Sequence, residues 1–330
     1  MDADKFSWKD RKVFVTGASG FVGTSLLARL AHEGARVTGL VTPGSRGLKA
    51  PVSGNIKIAE AFIEDANSTR KSLLKSEADT VFHLAAINTN VGTTVSPLSI
   101  FETNIRGTWN ILEACRRARG VERVVLASSR EAEMQDLASG NPDQSRLYRK
   151  FRPYQVSKIS AELVAHAYRD TFDLPVVISR SDNIYGEGDL NWNRLIPGTC
   201  RALLEGKAPV LRSDGSLARD YVYVGDMVDA YMALAARAGE PGITGEVFHF
   251  ATGKGTTALE IVSQLCELAG KPDLKPVVLN ESKEERINEP RDISRVLNLL
   301  GWSSSTQMKD GLRQTFDWYR KCLLKKARET

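Results

Sequence analysis

The sequence is poor in the residues from which disulfide-linked or metal-held folds are built. Its 330 residues include only 4 cysteines, and these are widely scattered. They show neither the paired spacing of a metal site nor a disulfide framework, so we expect reduced, mostly buried thiols and no metal. No apolar run is long enough to span a bilayer, and the charged start, Met1–Lys5, precedes no apolar signal core. We therefore expect a cytoplasmic protein.

The sequence also has little excess charge of either sign. Its 45 lysines and arginines against 40 acids give a net charge of +5. The basic clusters are not interleaved with base-stacking aromatics, which argues against a nucleic-acid role. A mild positive excess suits a diphosphate ligand without demanding one. With 42% hydrophobic residues, a chain of this length can bury a large core in one domain or in two unequal ones.

A glycine-rich turn is the first chemical feature that is present. It follows an apolar run over residues 12–16, typical of a strand, and precedes a helical pattern. Glycine at such a turn lets the backbone approach a pyrophosphate, and the first N–H groups of the helix face its negative charge. The pattern predicts a dinucleotide site that includes Gly17, Ser19, Gly20, Phe21, Val22 and Gly23.

A second motif lies far downstream, where Tyr154 and Lys158 stand one helical turn apart. At this spacing the ammonium can stabilise a phenolate, which makes the tyrosine a usable base near neutral pH. Tyr-x-x-x-Lys also arises on solvated helix faces, so the interpretation depends on both motifs together. Their combination predicts an enzyme that binds a nicotinamide dinucleotide and takes a proton from an alcohol as hydride leaves.

The first half of the sequence alternates strand and helix patterns. This predicts an α/β fold: a Rossmann-type, doubly wound parallel sheet with a smaller α/β substrate-binding lobe. We predict a dinucleotide-binding domain over 1–180 plus returning segments around 217–250, and a lobe over 181–216 and 251–330. The predicted strands cover 12–16, 36–41, 80–84, 123–127 and 176–179, and the predicted helices cover 21–33, 68–75, 101–119 and 154–171.

Several further motifs match a known family. They are His83-Leu84-Ala85-Ala86, Asn104-Ile105-Arg106-Gly107-Thr108, Asn183-Ile184-Tyr185-Gly186 and the segment from Arg219 to Val224. With the two motifs above, they make the chain resemble an extended short-chain dehydrogenase/reductase of the group that modifies nucleotide-diphosphate sugars. Shorter segments, such as Gly188-Asp189-Leu190-Asn191-Trp192, resemble those of CDP-glucose 4,6-dehydratases.

The resemblance implies a role for individual residues. Tyr154 would be the base at the sugar C4 hydroxyl, Lys158 would hold the nicotinamide ribose, and Ser129 would steady the developing ketone. Glu131 would take the C5 proton before water leaves from C6. The further implied contacts are Leu84, Ala85, Ala86 and Ser181 with the cofactor, and Arg130, Asn183, Asn191 and Arg219 with the nucleotide-diphosphate sugar. A homodimer through the helices over 101–119 and 154–171 is also implied.

The sequence departs from the family after the active-site serine. In related dehydratases the residue after the active-site hydroxyl is an Asp that donates a proton to the leaving hydroxide, whereas this chain has Arg130 there, followed by Glu131. Arginine stays protonated and is a poor proton donor but a good anion clamp. Two interpretations of Glu131 remain open: it is a C5 base, or it is an exposed loop carboxylate. The alternatives to a 4,6-dehydratase are a 4-epimerase, a uronate decarboxylase and a non-catalytic dinucleotide-binding regulator.

The adenosine end of the dinucleotide site is irregular as well. No acid follows the second predicted strand, where an NAD site usually has one. Thr42, Ser45 and Arg46 stand there instead and could contact a 2′-phosphate. The resemblance favours NAD, with NADP possible. For His83 we expect a core role, and Asn104 could bind backbone near the active site or be a satisfied buried amide.

Overall fold

Apolar runs rich in valine form the centre of a seven-stranded sheet in this computed structural model, which describes residues 6–45, 55–88, 95–133, 151–281 and 291–328. The strand order is β3-β2-β1-β4-β5-β6-β10, and every pair from β3 to β6 is parallel. The strands are β1 Lys12–Thr16, β2 Arg36–Val41, β3 Ile56–Glu60, β4 Thr80–His83, β5 Arg123–Ser129, β6 Val176–Ser181 and β10 Val247–Phe250. This confirms the predicted fold class, because it is the order of a doubly wound dinucleotide-binding sheet.

Helices cover this sheet and account for the helical patterns between the predicted strands. They are α1 Phe21–His32, α2 Ala66–Ser76, α3 Pro97–Phe101, α4 Gly107–Arg117 and α5 Pro153–Phe172. Asp65 caps α2 by accepting from the N–H groups of Asn67 and Ser68. Pro153 opens α5, where its missing N–H costs nothing. The predicted helix over 101–119 is interrupted by a π-helical turn, Glu102–Arg106, between α3 and α4.

The core of the sheet is made by the two faces of its central strands. Phe14 and Val124 are fully buried, and helix residues such as Leu112 pack against them. β3 differs, since it lies at the edge of the sheet and three of its five residues are exposed. The charged Lys57 and Glu60 of this edge strand hide it from a search for buried apolar runs.

The described chain forms two compact units. The first takes the described residues of Met1–Thr89 with Thr93–Ser181 and Ala230–His249, and the second takes Asp182–Asp229 with those of Phe250–Thr330. The elements that begin in the second unit are β7 Asn183–Tyr185, α6 Leu195–Leu204, β8 Val210–Leu211, β9 Ala218–Tyr223, α7 Val224–Ala236, β11 Gly255–Thr257, α8 Ala258–Leu268, β12 Val277–Val278, α9 Ser294–Leu300 and α10 Met308–Arg328. They form the sheets β11-β9-β7 and β12-β8 around a core of their own that includes Cys200, Leu265 and Tyr319.

No helix in the described part of the chain is both long and apolar enough to cross a membrane.

Candidate active site

The glycine turn between β1 and α1 is closed by its own backbone and by the end of β4. Gly17 has a φ of +68°, and a Cβ there would lie 2.8 Å from Ala85 N. A Cβ on Gly23 would lie 2.2 Å from the carbonyl oxygen of Gly17. Only glycine fits both positions. Gly20 precedes α1 and provides no side-chain cap, so the first N–H groups of the helix are not taken up by a neighbouring side chain. Such a helix start suits a phosphate.

A cavity of about 680 Å³ lies beside this turn, where β1, β2 and β4 end. Its volume is within the usual range for small-molecule sites, roughly 300–1,000 Å³. The residues predicted as cofactor contacts that line it are Gly17, Ser19, Gly20, Thr42, Leu84, Ala85 and Ala86. The other predicted cofactor contacts in the described part of the chain are not among its lining residues; they are Phe21, Val22, Gly23, Tyr154, Lys158 and Ser181. Arg46 lies outside the described residues.

Other lining residues were not predicted from the sequence. Residues 61–64 follow β3, and Leu98, Ser99, Glu102 and Thr103 come from α3 and the π-helical turn. Phe62 is the most notable, since its aromatic side chain is 55% exposed. Residues 61–64 were not predicted because edge strand β3, which they follow, was not predicted. Recognising Ile56-Lys57-Ile58 as an alternating strand would have revealed them.

The first two turns of α5 carry the predicted tyrosine and lysine. The ammonium of Lys158 is 6.0 Å from the centroid of the Tyr154 ring, and its Nζ donates to the carbonyl of Ala127 at 2.8 Å. Lys158 is buried, and burial lowers the pKa of its ammonium from 10.5 to about 8, against the opposing charge of Glu162. At pH 7 the side chain is therefore still mostly protonated, and its charge can stabilise a phenolate.

Ser129 ends β5, next to Ser181 at the end of β6. Its Oγ accepts from the backbone N–H of Glu131 at 3.2 Å, which caps a 3-10 turn over Arg130–Ala132. This bond uses a lone pair of the hydroxyl and not its proton. The side chain of Glu131 is exposed, and that of Arg130 is half-buried.

A buried ion pair joins α5 to β6 close to Ser128 and Ser129. Arg180 on β6 holds both carboxylate oxygens of Glu162, one turn after Lys158 on α5, with Nε to Oε1 at 2.8 Å. Ser128 donates its hydroxyl to the same carboxylate. The sequence does not predict this cluster, because Glu162 and Arg180 come from separate elements and nothing in their spacing links them.

His83 and Asn104 are both buried within the first unit. His83 lies between Thr16 and Thr108, and burial, assisted by the charge of Lys158, lowers the pKa of its imidazole to about 3. Asn104 binds the backbone of Ile87 through both ends of its amide, at 2.7 and 2.9 Å. Both side chains are therefore neutral hydrogen-bonding groups inside the protein.

The predicted substrate residues of the second unit make local contacts. Asn183 Nδ2 donates to the carbonyl of Asp220 at 3.1 Å. Asn191 accepts from the N–H of Asn193 at 3.2 Å and so closes a turn. Arg219 lies on β9, opposite Thr256 of β11. Their contacts with a ligand stay a prediction.

Comparison with known proteins places the chain among sugar-nucleotide enzymes. A family model described as the NAD dependent epimerase/dehydratase family matches residues 13–249. The chain is 30% identical to a UDP-N-acetyl-alpha-D-glucosaminuronate decarboxylase of Bacillus cytotoxicus, over 94% of this chain and 98% of that protein. It is 27% identical to a trifunctional UDP-glucose 4,6-dehydratase, 3,5-epimerase and reductase of Arabidopsis thaliana, over 96% of this chain. It spans only 48%, about half, of that plant protein's length.

Solved structures show the same fold over most of the chain. A UDP-glucose 4-epimerase from Thermotoga maritima, determined with UDP-glucose, superimposes with a TM-score of 0.82 at 27% identity, covering 94% of this chain and 99% of that one. The Bordetella bronchiseptica enzyme WbmF in complex with NAD+ superimposes with a TM-score of 0.79 at 25% identity, covering 97% and 96%.

Proposed function

Because this chain belongs to the NAD dependent epimerase/dehydratase family, we propose that it oxidises a nucleotide-diphosphate sugar transiently at C4 and eliminates water across C5 and C6. The net reaction is that of a nucleotide-sugar 4,6-dehydratase. The observation that carries the dehydratase assignment is the turn after β5, in which the backbone of Glu131 is bound to the hydroxyl of Ser129. A candidate C5 base thereby stands two residues from the group that steadies the C4 oxygen.

The first unit fits the family's cofactor, NAD. The cradle at Gly17 and Gly23 excludes any Cβ, and the α1 N-terminus has no side-chain cap, so both suit a pyrophosphate. In our proposal Gly17, Ser19 and Gly20 hold the phosphates and Lys158 holds the nicotinamide ribose. When bound, NAD supplies the redox chemistry by accepting a hydride from C4 and returning it to C6.

Tyr154 is the proposed base for the first proton. As a phenolate it takes the proton of the C4 hydroxyl, so that C4 becomes a ketone once its hydride has left. The Lys158 ammonium stabilises the phenolate, and the Ser129 hydroxyl donates to the sugar oxygen. Positioned proton transfer of this kind accelerates a reaction by about 10²–10⁴-fold.

The C4 ketone acidifies the neighbouring C5–H bond, and Glu131 is the proposed base for that proton. The electron pair released from C5 expels the C6 hydroxyl, which leaves as water with a proton taken from solvent. Glu131 then returns its proton to C5. Arg130 cannot supply the leaving-group proton, since its guanidinium does not deprotonate in this pH range; we assign it to clamping a substrate anion.

A second candidate, a 4-epimerase, is favoured by the exposure of Glu131. An epimerase needs no second base, and the T. maritima relative of known structure is a UDP-glucose 4-epimerase. A uronate decarboxylase is a third, because the B. cytotoxicus relative has that activity and Arg130 could hold a carboxylate. In each case we propose that Asn183, Asn191 and Arg219 contact the nucleotide-diphosphate part of the substrate.

Mass spectrometry of Glu131→Gln against wild type separates these candidates, with Glu133→Gln as the matched control from the same loop. The proteins are incubated with NAD and CDP-, dTDP-, GDP- and UDP-linked hexoses and uronates. The dehydratase account predicts a product lighter by one water for wild type and control, and its loss in Glu131→Gln. An isomer of unchanged mass would establish epimerisation, and loss of carbon dioxide would establish decarboxylation; either would overturn the dehydratase assignment.

We further propose that the chain is a homodimer through α4 and α5, which pack side by side in the first unit. Trp109 on α4 is 42% exposed and Leu163 on α5 is 62% exposed. Large apolar side chains on neighbouring helices are what a self-complementary interface requires.

A further inference from the structure

His83 stands at the centre of a chain of buried hydrogen bonds in the first unit. The N–H of Ala85 donates to Thr16 Oγ1 at 3.1 Å, and Thr16 Oγ1 lies 2.7 Å from His83 Nδ1. On the other side of the ring, His83 Nε2 lies 3.0 Å from Thr108 Oγ1, which donates to the carbonyl of Asn104 at 2.6 Å. The side chains of Thr16, His83 and Thr108 are all buried.

The Asn104 carbonyl at one end of these hydrogen bonds, together with the burial of the ring, fixes the direction of each bond to His83. A carbonyl only accepts, so Thr108 spends its single hydroxyl proton on Asn104 and must accept from His83. His83 Nε2 therefore carries a proton. Because burial disfavours the charged ring, Nδ1 carries none and accepts from Thr16. The hydroxyl of Thr16 in turn accepts from the N–H of Ala85. The imidazole is a neutral Nε2–H tautomer.

The chain continues through Asn104 to the catalytic helix. The amide of Asn104 accepts from Ile87 N and donates to Ile87 O, and its second amide proton goes to Ser157 Oγ at 2.9 Å. Ser157 spends its own proton on the carbonyl of Tyr154 at 2.7 Å. Every donor of Asn104 and Ser157 has one partner, so the orientation of the Asn104 amide is also fixed.

The hydrogen-bond network connects the cavity beside the glycine turn with Tyr154. Thr16, Ala85 and Ile87 line the cavity beside the glycine turn, and Thr16 immediately precedes Gly17. Tyr154, in the first turn of α5, lies at the other end of the network. The π-helical turn at Glu102–Arg106 lies between them and holds Asn104. Such turns are uncommon and often stand at functional sites.

We propose that His83 is a positioning residue, which as a neutral Nε2–H tautomer fixes the π-helical turn and thereby the place of Tyr154 relative to the glycine turn. This role rests on the proposed function, in which Tyr154 takes the C4 proton. Histidine suits it because one ring presents an acceptor on one edge and a donor on the other without a charge. Asparagine can replace the Nδ1 acceptor and glutamine can replace the Nε2 donor, but neither replaces both.

Nitrogen-15 NMR of the histidines in the wild-type protein tests the tautomer without any turnover. The chain has 4 histidines, and His83→Gln assigns the resonance. We expect the His83 ring to show a protonated Nε2 and a bare Nδ1, unchanged from pH 5 to pH 8. A His83 ring with protonated Nδ1, or one that titrates between pH 5 and 8, would overturn the proposal.

Variants then test the positioning role, with His32→Gln as the control. His83→Phe leaves the hydroxyls of Thr16 and Thr108 without their partner, and we expect kcat to fall by about a hundredfold, the cost of a displacement of about 1 Å. We also expect the acidic limb of the pH profile to move, while His83→Gln, which keeps the donor to Thr108, recovers about tenfold of the loss. Calorimetric titration with NAD measures cofactor binding by the folded variants as a second readout.

A merely structural role would lower the melting temperature of His83→Phe and leave kcat and the pH limb of the folded protein as in wild type. That result would overturn the proposal. Should wild type turn over no sugar, the proposed function fails, and the NMR and NAD calorimetry still decide whether His83 holds the network. If His83→Phe does not fold, Thr108→Val against Thr108→Ser makes the same comparison at the other side of the ring, with recovery expected only in Thr108→Ser.

Discussion

Lys158 donates from Nζ to the carbonyl of Ala127 at 2.8 Å, so α5 is tied to β5, the strand that ends at Ser129. The bond fixes a buried ammonium next to the Tyr154 ring. Since burial lowers the pKa of this ammonium to about 8, its charge is present at neutral pH and is lost in mildly alkaline solution. The lysine is thus poised to act on the tyrosine in the pH range where the proposed base must work.

Replacing Lys158 by Met should weaken the base. Without the ammonium the phenolate of Tyr154 forms only at higher pH, so the acidic limb of the kcat profile should move up by more than one pH unit and kcat at pH 7 should fall by about a hundredfold or more. The measurement is turnover from pH 6 to 10. Lys71→Met, an exposed lysine of α2, should keep the wild-type profile, and an unmoved acidic limb in Lys158→Met would show that the ammonium does not tune Tyr154.

Breaking the ion pair between Glu162 and Arg180 should destabilise the first unit strongly. The Glu162 and Arg180 side chains are only 6% and 18% exposed, so Glu162→Gln leaves a buried guanidinium without its counter-charge. We expect a loss of about 3–5 kcal/mol in the free energy of unfolding, measured in urea. Glu205→Gln disrupts the exposed pair with Arg201 and should leave stability nearly unchanged. Equal effects of the two variants would contradict the packing described for Glu162.

Acid should destabilise the protein through His83. The folded-state pKa of its imidazole, about 3, is below the unfolded value of 6.5, so the unfolded chain binds the extra proton between these values. The contribution is fully present above pH 6.5 and is lost as pH falls toward 3. Between pH 7.5 and 5 it amounts to about 2 kcal/mol. Urea unfolding of His83→Gln should lack this part of the pH dependence, whereas His32→Gln should keep it; identical slopes in all three proteins would rule out a buried neutral His83.

A charge on the outer face of α5 should separate the proposed dimer. Leu163→Glu puts a carboxylate where the partner subunit would cover an apolar side chain, and burying it unpaired is costly. We expect a monomer by light scattering at concentrations where wild type is a dimer. Leu297→Glu, on the exposed face of α9, should leave the mass unchanged. A monomeric wild type, or a dimer that survives Leu163→Glu, would place the interface elsewhere.

Much of the first unit could be predicted because its elements follow local rules. The strands at Lys12–Thr16 and Arg36–Val41 have the predicted bounds, since charged residues precede short apolar runs that must be buried on both faces. The glycine turn was predicted for the same reason, because the positive φ of Gly17 and the tight approach at Gly23 each demand the residue that the sequence shows.

The remainder depends on contacts that no local pattern encodes. β3 was missed because an edge strand alternates charged and apolar residues, and the cavity wall at residues 61–64 was missed with it. The π-helical turn contains neither glycine nor proline, so the predicted helix extends through it. The Glu162 and Arg180 pair and the two threonines beside His83 meet only after the sheet has formed.

The most direct test of the account follows the C4 hydrogen of the sugar. Wild-type protein with NAD is given CDP-, dTDP-, GDP- and UDP-glucose carrying deuterium at C4, and the products are read by mass spectrometry and NMR. The account predicts, for one of these sugars, a product lighter by one water that retains the deuterium on its C6 methyl group, with no accumulation of NADH. A product whose deuterium is still at C4, or has passed into accumulating NADH, would contradict it.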